Sequence, residues 1–225
     1  MIEGLSLWLA ATNCWIVAPD GPGGECVLID VPPDPEVILT RLAEHHLRLV
    51  ALFATHGHVD HVGGMGAVQS GTEAAPDGTR VPVHLHPGDR HMLDDPVSTG
   101  NLGRFLDLDI LPVPPPELVF GLDHGQRVSG AGMTFTAIHT PGHTAGSTCF
   151  LLEVEGEPGV LFSGDHLFAG SVGRTDLPGG SHEQLLASMA ERILPLDDET
   201  LVLPGHGPTT TLGFEREHNP FLKDL

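Results

Sequence analysis

The first third of the chain alternates short apolar runs with clusters of Gly, Pro and Asp, the pattern of strands joined by tight turns. LSLWLAATNCWIVA (5–18) and ECVLID (25–30) read as consecutive strands, with PDGPGG as the hairpin turn between them. DPEVILTRLAEHHL then sets Val37, Ile38, Leu42 and Leu47 on one helical stripe, with Asp34 as N-cap and Pro35 at the first position. LVALFAT returns as a buried strand, VPVHLH is a further strand, and a short helix follows over GDRHMLDD.

Residues 96–124 break this rhythm. They hold the densest proline cluster and keep no steady period, so they are expected to form a loop or lid. Strand signals return in MTFTAIHT, STCFLLEVE and GVLFSGD, and SHEQLLASMAERIL reads as a helix with Ser181 as N-cap and Glu183 in the first turn. TLVLPGHG is a last strand ending in a histidine, and a short C-terminal segment follows. Strands and helices occur in both halves, so the class is α/β or α+β around a sheet core. A length of 225 residues fits one domain over 1–225, with 96–124 as its loop excursion.

Composition removes several function classes. Apolar residues make up 40% and charged residues 18%, which suits a folded globular protein and not a disordered one. Ten basic against 30 acidic residues give a formal charge of −20, which disfavours a nucleic-acid partner. The N-terminus MIEGLSLWLAATNCW has no basic leader region, and no run approaches the roughly 18 apolar residues of a membrane span. Cys14, Cys26 and Cys149 are scattered and odd in number, and read as reduced core thiols of a cytoplasmic protein.

The candidate chemistry lies in FATHGHVDHVGG (53–64), where three histidines and an aspartate follow an apolar run and precede two glycines. His56 and His58, two apart in an extended segment, aim the same way, while Asp60 and His61 reach a second point nearby. Imidazole and carboxylate are ligands shared by zinc, iron and manganese. The same grammar of buried strand, turn residue and ligand recurs three times, at His143 in HTPGHTAGS, Asp165 in VLFSGDHLF and His206 in LVLPGHG. These seven candidates fit two metal ions, which a carboxylate can bridge at roughly 3.5–4 Å. The other ten of the 15 histidines lack this context and are expected to be polar decoration.

THGHVDH resembles the T-H-x-H-x-D-H signature of the metallo-β-lactamase superfamily, and TPGHTAGS, SGDHLF and LPGHG resemble its remaining ligand motifs, in order. The resemblance implies an αβ/βα sandwich, an α+β fold of two packed mixed sheets flanked by helices, with metals at one edge. It also implies that His56, His58 and His143 hold one metal, Asp60, His61 and His206 the second, and that Asp165 bridges. Two divalent ions are implied, zinc first, with iron or manganese as alternatives.

Four details narrow the branch. Asp165 stands where the best-known zinc β-lactamases carry cysteine, and nuclease branches need basic residues that a −20 chain lacks. Quorum-signal lactonases of this fold usually use a tyrosine, and this chain has none. GSVGRTDLPGGS resembles the segment after the bridging aspartate in glyoxalase II-like enzymes and persulfide dioxygenases, and REHNPFL resembles the C-terminus of a short glyoxalase II-like group. The chain ends about 19 residues after His206, without the helical domain that grips glutathione in full-length glyoxalase II, so any thiol carrier must be held otherwise.

The expected activity is hydrolysis of a small-thiol thioester by metal-bound hydroxide, with a hydroxyacyl group as the acid part and Asp60 as the proton acceptor. Arg174 and Asp176 are read either as a loop-stabilising ion pair or as substrate-carboxylate contacts. Asp30 and Thr55 are expected to orient metal ligands by hydrogen bonds. Phe105, with Leu102, Leu106 and Leu108, is expected to line a substrate entrance in the lid. His84 and His86 imitate a ligand pair but are read as core or rim residues. A mononuclear-iron persulfide dioxygenase using His56, His143 and Asp165 is the main alternative, and a non-catalytic metal-binding domain is a third. The implied partner is a small-molecule thioester, with neither nucleic acid nor membrane; a homo-oligomer is compatible with it.

Overall fold

The structure is a computed structural model that describes residues 1–74, 77–96, 113–223 and 225. The first apolar run, expected as one strand, reverses on itself: β1 (Ile2–Leu7) pairs antiparallel with β2 (Thr12–Val17). The turn between them is built with positive φ at Trp8 and Ala11 (60° and 52°). Its residues, Trp8 to Ala11, are themselves apolar, so hydropathy gives no break at which to read the reversal. The turn is tied to the start of α1 (Pro35–Glu44): the Asp34 carboxylate, expected to cap that helix, instead accepts the Trp8 backbone N–H at 2.6 Å.

Two six-stranded sheets form the frame. The first runs β1, β2, β3 (Glu25–Ile29), β4 (Arg48–Phe53), β5 (Val83–Leu85) and β6 (Val119–Gly121). From β3 onward its strands are parallel, joined through α1 and, after β4, through α2 (Val59–Val62) and α3 (Met65–Gly71). The second sheet contains β7 (Arg127–Gly130), β8 (Met133–His139), β9 (Thr148–Leu152), β10 (Val160–Gly164), β13 (Leu201–Pro204) and β14 (Thr210–Thr211). Only β10 and β13 are parallel in it. A small hairpin of β11 (Leu167–Phe168) and β12 (Ser171–Val172) follows β10. The helix that begins as α4 (His182–Ser188) ends in a π-helical turn over 189–193, and α5 (Leu212–His218) closes the chain.

The period-2 alternation of the central strands explains the layering. In β2, Trp15 and Val17 point to the layer between the sheets, while Cys14 and Ile16 pack beneath α1 and α3. In β9, Phe150 and Leu152 face the middle layer, whereas Cys149 and Leu151 meet Leu185, Met189 and Leu212 of the outer helices. Three apolar layers therefore separate helix, sheet, sheet and helix, which is the αβ/βα sandwich. Phe53 sits at its centre, fully buried, with Phe135 and Phe150 at 5.0 and 5.1 Å between ring centroids. Burial of rings of this size is the dominant favourable term in such a layer.

Within the 96–124 stretch, β6 adds an ordered edge strand, and the Gln69 side chain fastens the approach to it by donating to Leu118 O and accepting from Glu117 N. The lid residues named from the sequence, Phe105 among them, fall on 97–112, outside the described residues. Among the described residues no helix is long and apolar enough to cross a membrane. All three cysteines are buried and unpaired, and burial pushes the Cys26 and Cys149 thiols up to about 12.

His84 lies on the first sheet rather than among the ligands, stacked between Phe53 (5.3 Å) and Phe120 (5.7 Å). Burial lowers its pKa to about 4. The folded value is below the unfolded one, so the neutral ring's contribution is complete above about pH 6.5 and is lost as pH falls from there through the folded value. His84→Phe should therefore flatten the decline in urea midpoint of the metal-free protein between about pH 7 and about pH 4. An unchanged decline would show that His84 carries none of it.

Candidate metal centre

Every ligand-bearing loop leaves the sandwich at the same edge, because strands running parallel end together. β3 ends just before Asp30 and β4 just before the His56–His61 segment; β10 ends before Asp165 and its parallel neighbour β13 before His206. β8 delivers His143 through the loop that returns to β9. Segments far apart in sequence thus present buried imidazoles and carboxylates to one point.

His56, His58 and His143 form the first group. His58 Nδ1 is 3.0 Å from His56 Nε2 and 3.0 Å from His143 Nε2, and the two Nε2 atoms are 3.2 Å apart. The outer bonds fix the tautomers. His143 Nδ1 donates to the Arg174 carbonyl (2.7 Å), so its Nε2 carries a lone pair. Thr55 Oγ1 spends its one proton on Asp30 Oδ2 (2.7 Å) and so accepts from His56 Nδ1 (3.2 Å), which leaves the His56 Nε2 lone pair facing inward. Two lone pairs then face each other at 3.2 Å, a repulsion that a cation between them converts into two bonds.

Asp60, His61 and His206 form the second group, their ligand atoms within 4.8 Å of one another. His61 Nε2 and His206 Nε2 lie 3.3 Å apart, and Asp60 Oδ2 is 3.5 and 3.4 Å from them. Asp165 stands between the groups: Oδ1 is 3.4 Å from His61 Nε2, while Oδ2 is 3.5 Å from both His143 Nε2 and His206 Nε2. Its Oδ1 is buried with no hydrogen-bond partner, as is His58 Nε2. An orphaned carboxylate oxygen beside converging imidazole lone pairs fits a divalent cation and little else.

Burial pulls down the pKa of His61 and His206, but the surrounding carboxylates outweigh it and raise them to about 9 and about 10. Burial likewise pushes Asp165 and Asp60 up, and the neighbouring His61 and His206 more than reverse it, so both stay ionised. In His56 and His58 burial and the neighbouring imidazoles act together to lower the pKa, to about 3 for His58. The His61–His206 half of the site is thus basic and charge-paired, and a cation entering it must displace protons.

Around the ligands, Asp30 accepts from Thr55 N (2.8 Å) and Thr55 Oγ1 and pairs with His61 Nδ1 at 2.8 Å, so it touches the second group directly and reaches His56 of the first through the Thr55 hydroxyl. Arg174 and Asp176 form an exposed bidentate pair, with both bonds at 2.8 Å. The guanidinium is therefore occupied, and it is the Arg174 backbone that meets the site. Sequence reading passed over Thr12 and Asn13. Thr12 Oγ1 donates to Asp60 Oδ2 (3.1 Å), and Asn13 Nδ2 holds the Pro204 and Gly207 carbonyls on either side of His206. Polar residues inside an otherwise apolar buried strand were the available signal. His166, among the histidines expected as decoration, is buried beside Asp165 with both ring nitrogens unpartnered. His206 is the exposed side of the centre, 28% accessible, with Phe168 edge-on to it at 6.0 Å.

Comparison with known proteins accords with this geometry. A relative from Haemophilus influenzae, hydroxyacylglutathione hydrolase GloC, is 33% identical over 225 residues, covering 98% of this chain and 97% of the relative. The crystal structure of BLEG-1 B3 metallo-beta-lactamase is 38% identical with a TM-score of 0.83, over 99% of this chain and 100% of that one. TTHA1623 in a di-iron-bound form is also 38% identical, with a TM-score of 0.78 over 98% and 100%. ETHE1 from Myxococcus xanthus is 27% identical, with a TM-score of 0.73 over 98% and 83%. Residues 7–206 match the family described as Metallo-beta-lactamase superfamily, and the chain belongs to that superfamily, whose fold binds divalent metal ions through His and Asp side chains.

Proposed function

We propose that this chain is a metal-dependent hydrolase of thioesters of small thiols, with hydroxyacyl esters as the preferred class and two divalent ions, zinc foremost, in the groups described above. The observation that carries the reading is Asp165, whose carboxylate lies between the two groups, Oδ2 equidistant from His143 and His206 and Oδ1 beside His61. That arrangement suits a pair of ions, and the full-length similarity to a hydroxyacylglutathione hydrolase supports the substrate class.

Two bound divalent ions would acidify a water toward a pKa of ~7 and polarise the thioester carbonyl. The remaining work falls to the chain. Asp60, ionised and held by the Thr12 hydroxyl, accepts the proton of the attacking water. Asp30 and the Arg174 carbonyl keep His61 and His143 in the tautomer that turns Nε2 inward. A thiol with a pKa near ~8.5 departs as thiolate, so no strong general acid is required of the protein. The Arg174–Asp176 pair holds the loop that supplies the Arg174 carbonyl.

A second reading rests on a specific observation: similarity to ETHE1 and to a di-iron form. His56, His143 and Asp165 supply two imidazoles and a carboxylate, the set that suits an iron-dependent persulfide dioxygenase. A purely structural metal site is less favoured, because every ligand position is filled.

Metal quantification on the purified protein, beside turnover of lactoyl esters of several thiols, a β-lactam and a thiol persulfide, separates these readings. Two ions and release of free thiol are expected. One iron with rapid oxygen uptake on the persulfide would replace the hydrolase reading with the dioxygenase one, and turnover of the β-lactam alone would reject both. Asp60→Asn is expected to lower kcat by roughly 10²–10⁴ with the fold intact. Near-normal kcat at full metal content would remove Asp60 from the proton transfer.

A further inference from the structure

We propose that Asp89 is a positioning residue for the first ligand group: its buried carboxylate fixes the loop of His56 and His58 to the loop of His143. Asp89 lies in the short 3-10 helix Pro87–Leu93 after β5 and has no exposed surface. Its Oδ2 accepts from the Gly57 N–H (3.0 Å) and from Thr144 Oγ1 (2.6 Å), and its Oδ1 accepts from the Gly146 N–H (2.7 Å). Gly57 is the residue between His56 and His58, and Thr144 directly follows His143. One carboxylate thus spans both loops that meet at the first group, and it is not itself within the groups able to hold an ion.

The surroundings are shaped for that contact. A Cβ on Gly57 would stand 3.0 Å from Asp89 Cβ and 2.8 Å from Met92 Cβ, and one on Gly146 would stand 2.6 Å from Asp89 Cγ. Both ligand loops therefore present bare backbone where Asp89 enters, so their N–H groups can reach it. Ser147 completes the arrangement, lying 2.8 Å from the Thr144 hydroxyl and accepting the Thr144 N–H at 3.0 Å.

Electrostatics gives the contact a direction. Asp89 is a buried carboxylate with three neutral donors and, among the described residues, no ion-pair partner. A buried anion is costly unless a cation compensates it. The first group, whose ligands flank Gly57 and precede Thr144, is where a cation is wanted: the Nε2 lone pairs of His56 and His143 converge there at 3.2 Å. Asp89 thus both orders the ligand loops and makes cation occupancy there more favourable. Asp30 acts differently, through the side chains Thr55 and His61.

The test is stepwise titration of the metal-free full-length protein with cobalt(II), followed by its visible spectrum. The step abolished by His206→Ala is assigned to the second group. Asp89→Asn keeps the volume but turns a donor toward donors. It is expected to weaken the first-group step about 10- to 100-fold and the second by less than about threefold, with an altered first-group spectrum. A merely structural role would lower the melting temperature of the metal-free protein and leave the ratio of the two constants unchanged, and that outcome overturns the proposal. Should Asp89→Asn fail to fold, Thr144→Val and Thr144→Ser decide. The first-group constant must fall in the valine variant and recover in the serine variant. Equal constants in the two reject the positioning role.

Discussion

Five imidazoles and two carboxylates crowded together at one edge of a sandwich, most of them buried, are a net liability to any fold. Ring nitrogens that present lone pairs to each other at about 3 Å repel, and a carboxylate oxygen without a donor forfeits its hydration. A divalent charge placed among them turns each of these costs into a bond. The rest of the structure is arranged around holding this unfavourable constellation in place until a cation enters.

Backbone geometry does much of that holding. The parallel pairs β3–β4 and β10–β13 bring Asp30 and three ligand-bearing loops to the same edge, and three apolar layers behind them fix the strand ends. Buried polar side chains then set orientation over shorter distances. Asp30 and the Arg174 carbonyl choose tautomers, Thr12 holds Asp60, and Asn13 with Trp15 Nε1 pins the Pro204 carbonyl ahead of His206. Asp89 adds a link between loops that no imidazole touches. Each of these groups is itself satisfied by its contacts, so the frame stays intact while the ligands it aims do not satisfy one another.

The division between the two ligand groups has a chemical consequence. Imidazoles alone make the first group, whereas carboxylates surround the second and raise its histidines. An ion in the second group would have to compete with protons held by strong local fields, whereas His56 and His143 in the first already present lone pairs. Asp165 couples the two, since its oxygens face His61 on one side and His143 on the other.

Much of this was legible in the sequence by itself. Apolar strand, small turn residue and ligand recur at His56, His143, Asp165 and His206, and that grammar is local: it needs only strand periodicity and the habit of loops to carry function. The apolar turn at Trp8–Ala11 defeated the same reading, because hydropathy cannot mark a reversal made of apolar residues. What only the tertiary structure decided is which groups meet. His143 joins His56 across 87 residues, Asn13 reaches Pro204 across 191, and Asp89 reaches Gly57 and Gly146 across 32 and 57. No local pattern announces such partners, since a buried aspartate in a short helix has the same sequence signature as an exposed one. Its role follows from the packing of two sheets face to face, which brings bare glycine backbone within reach of its oxygens.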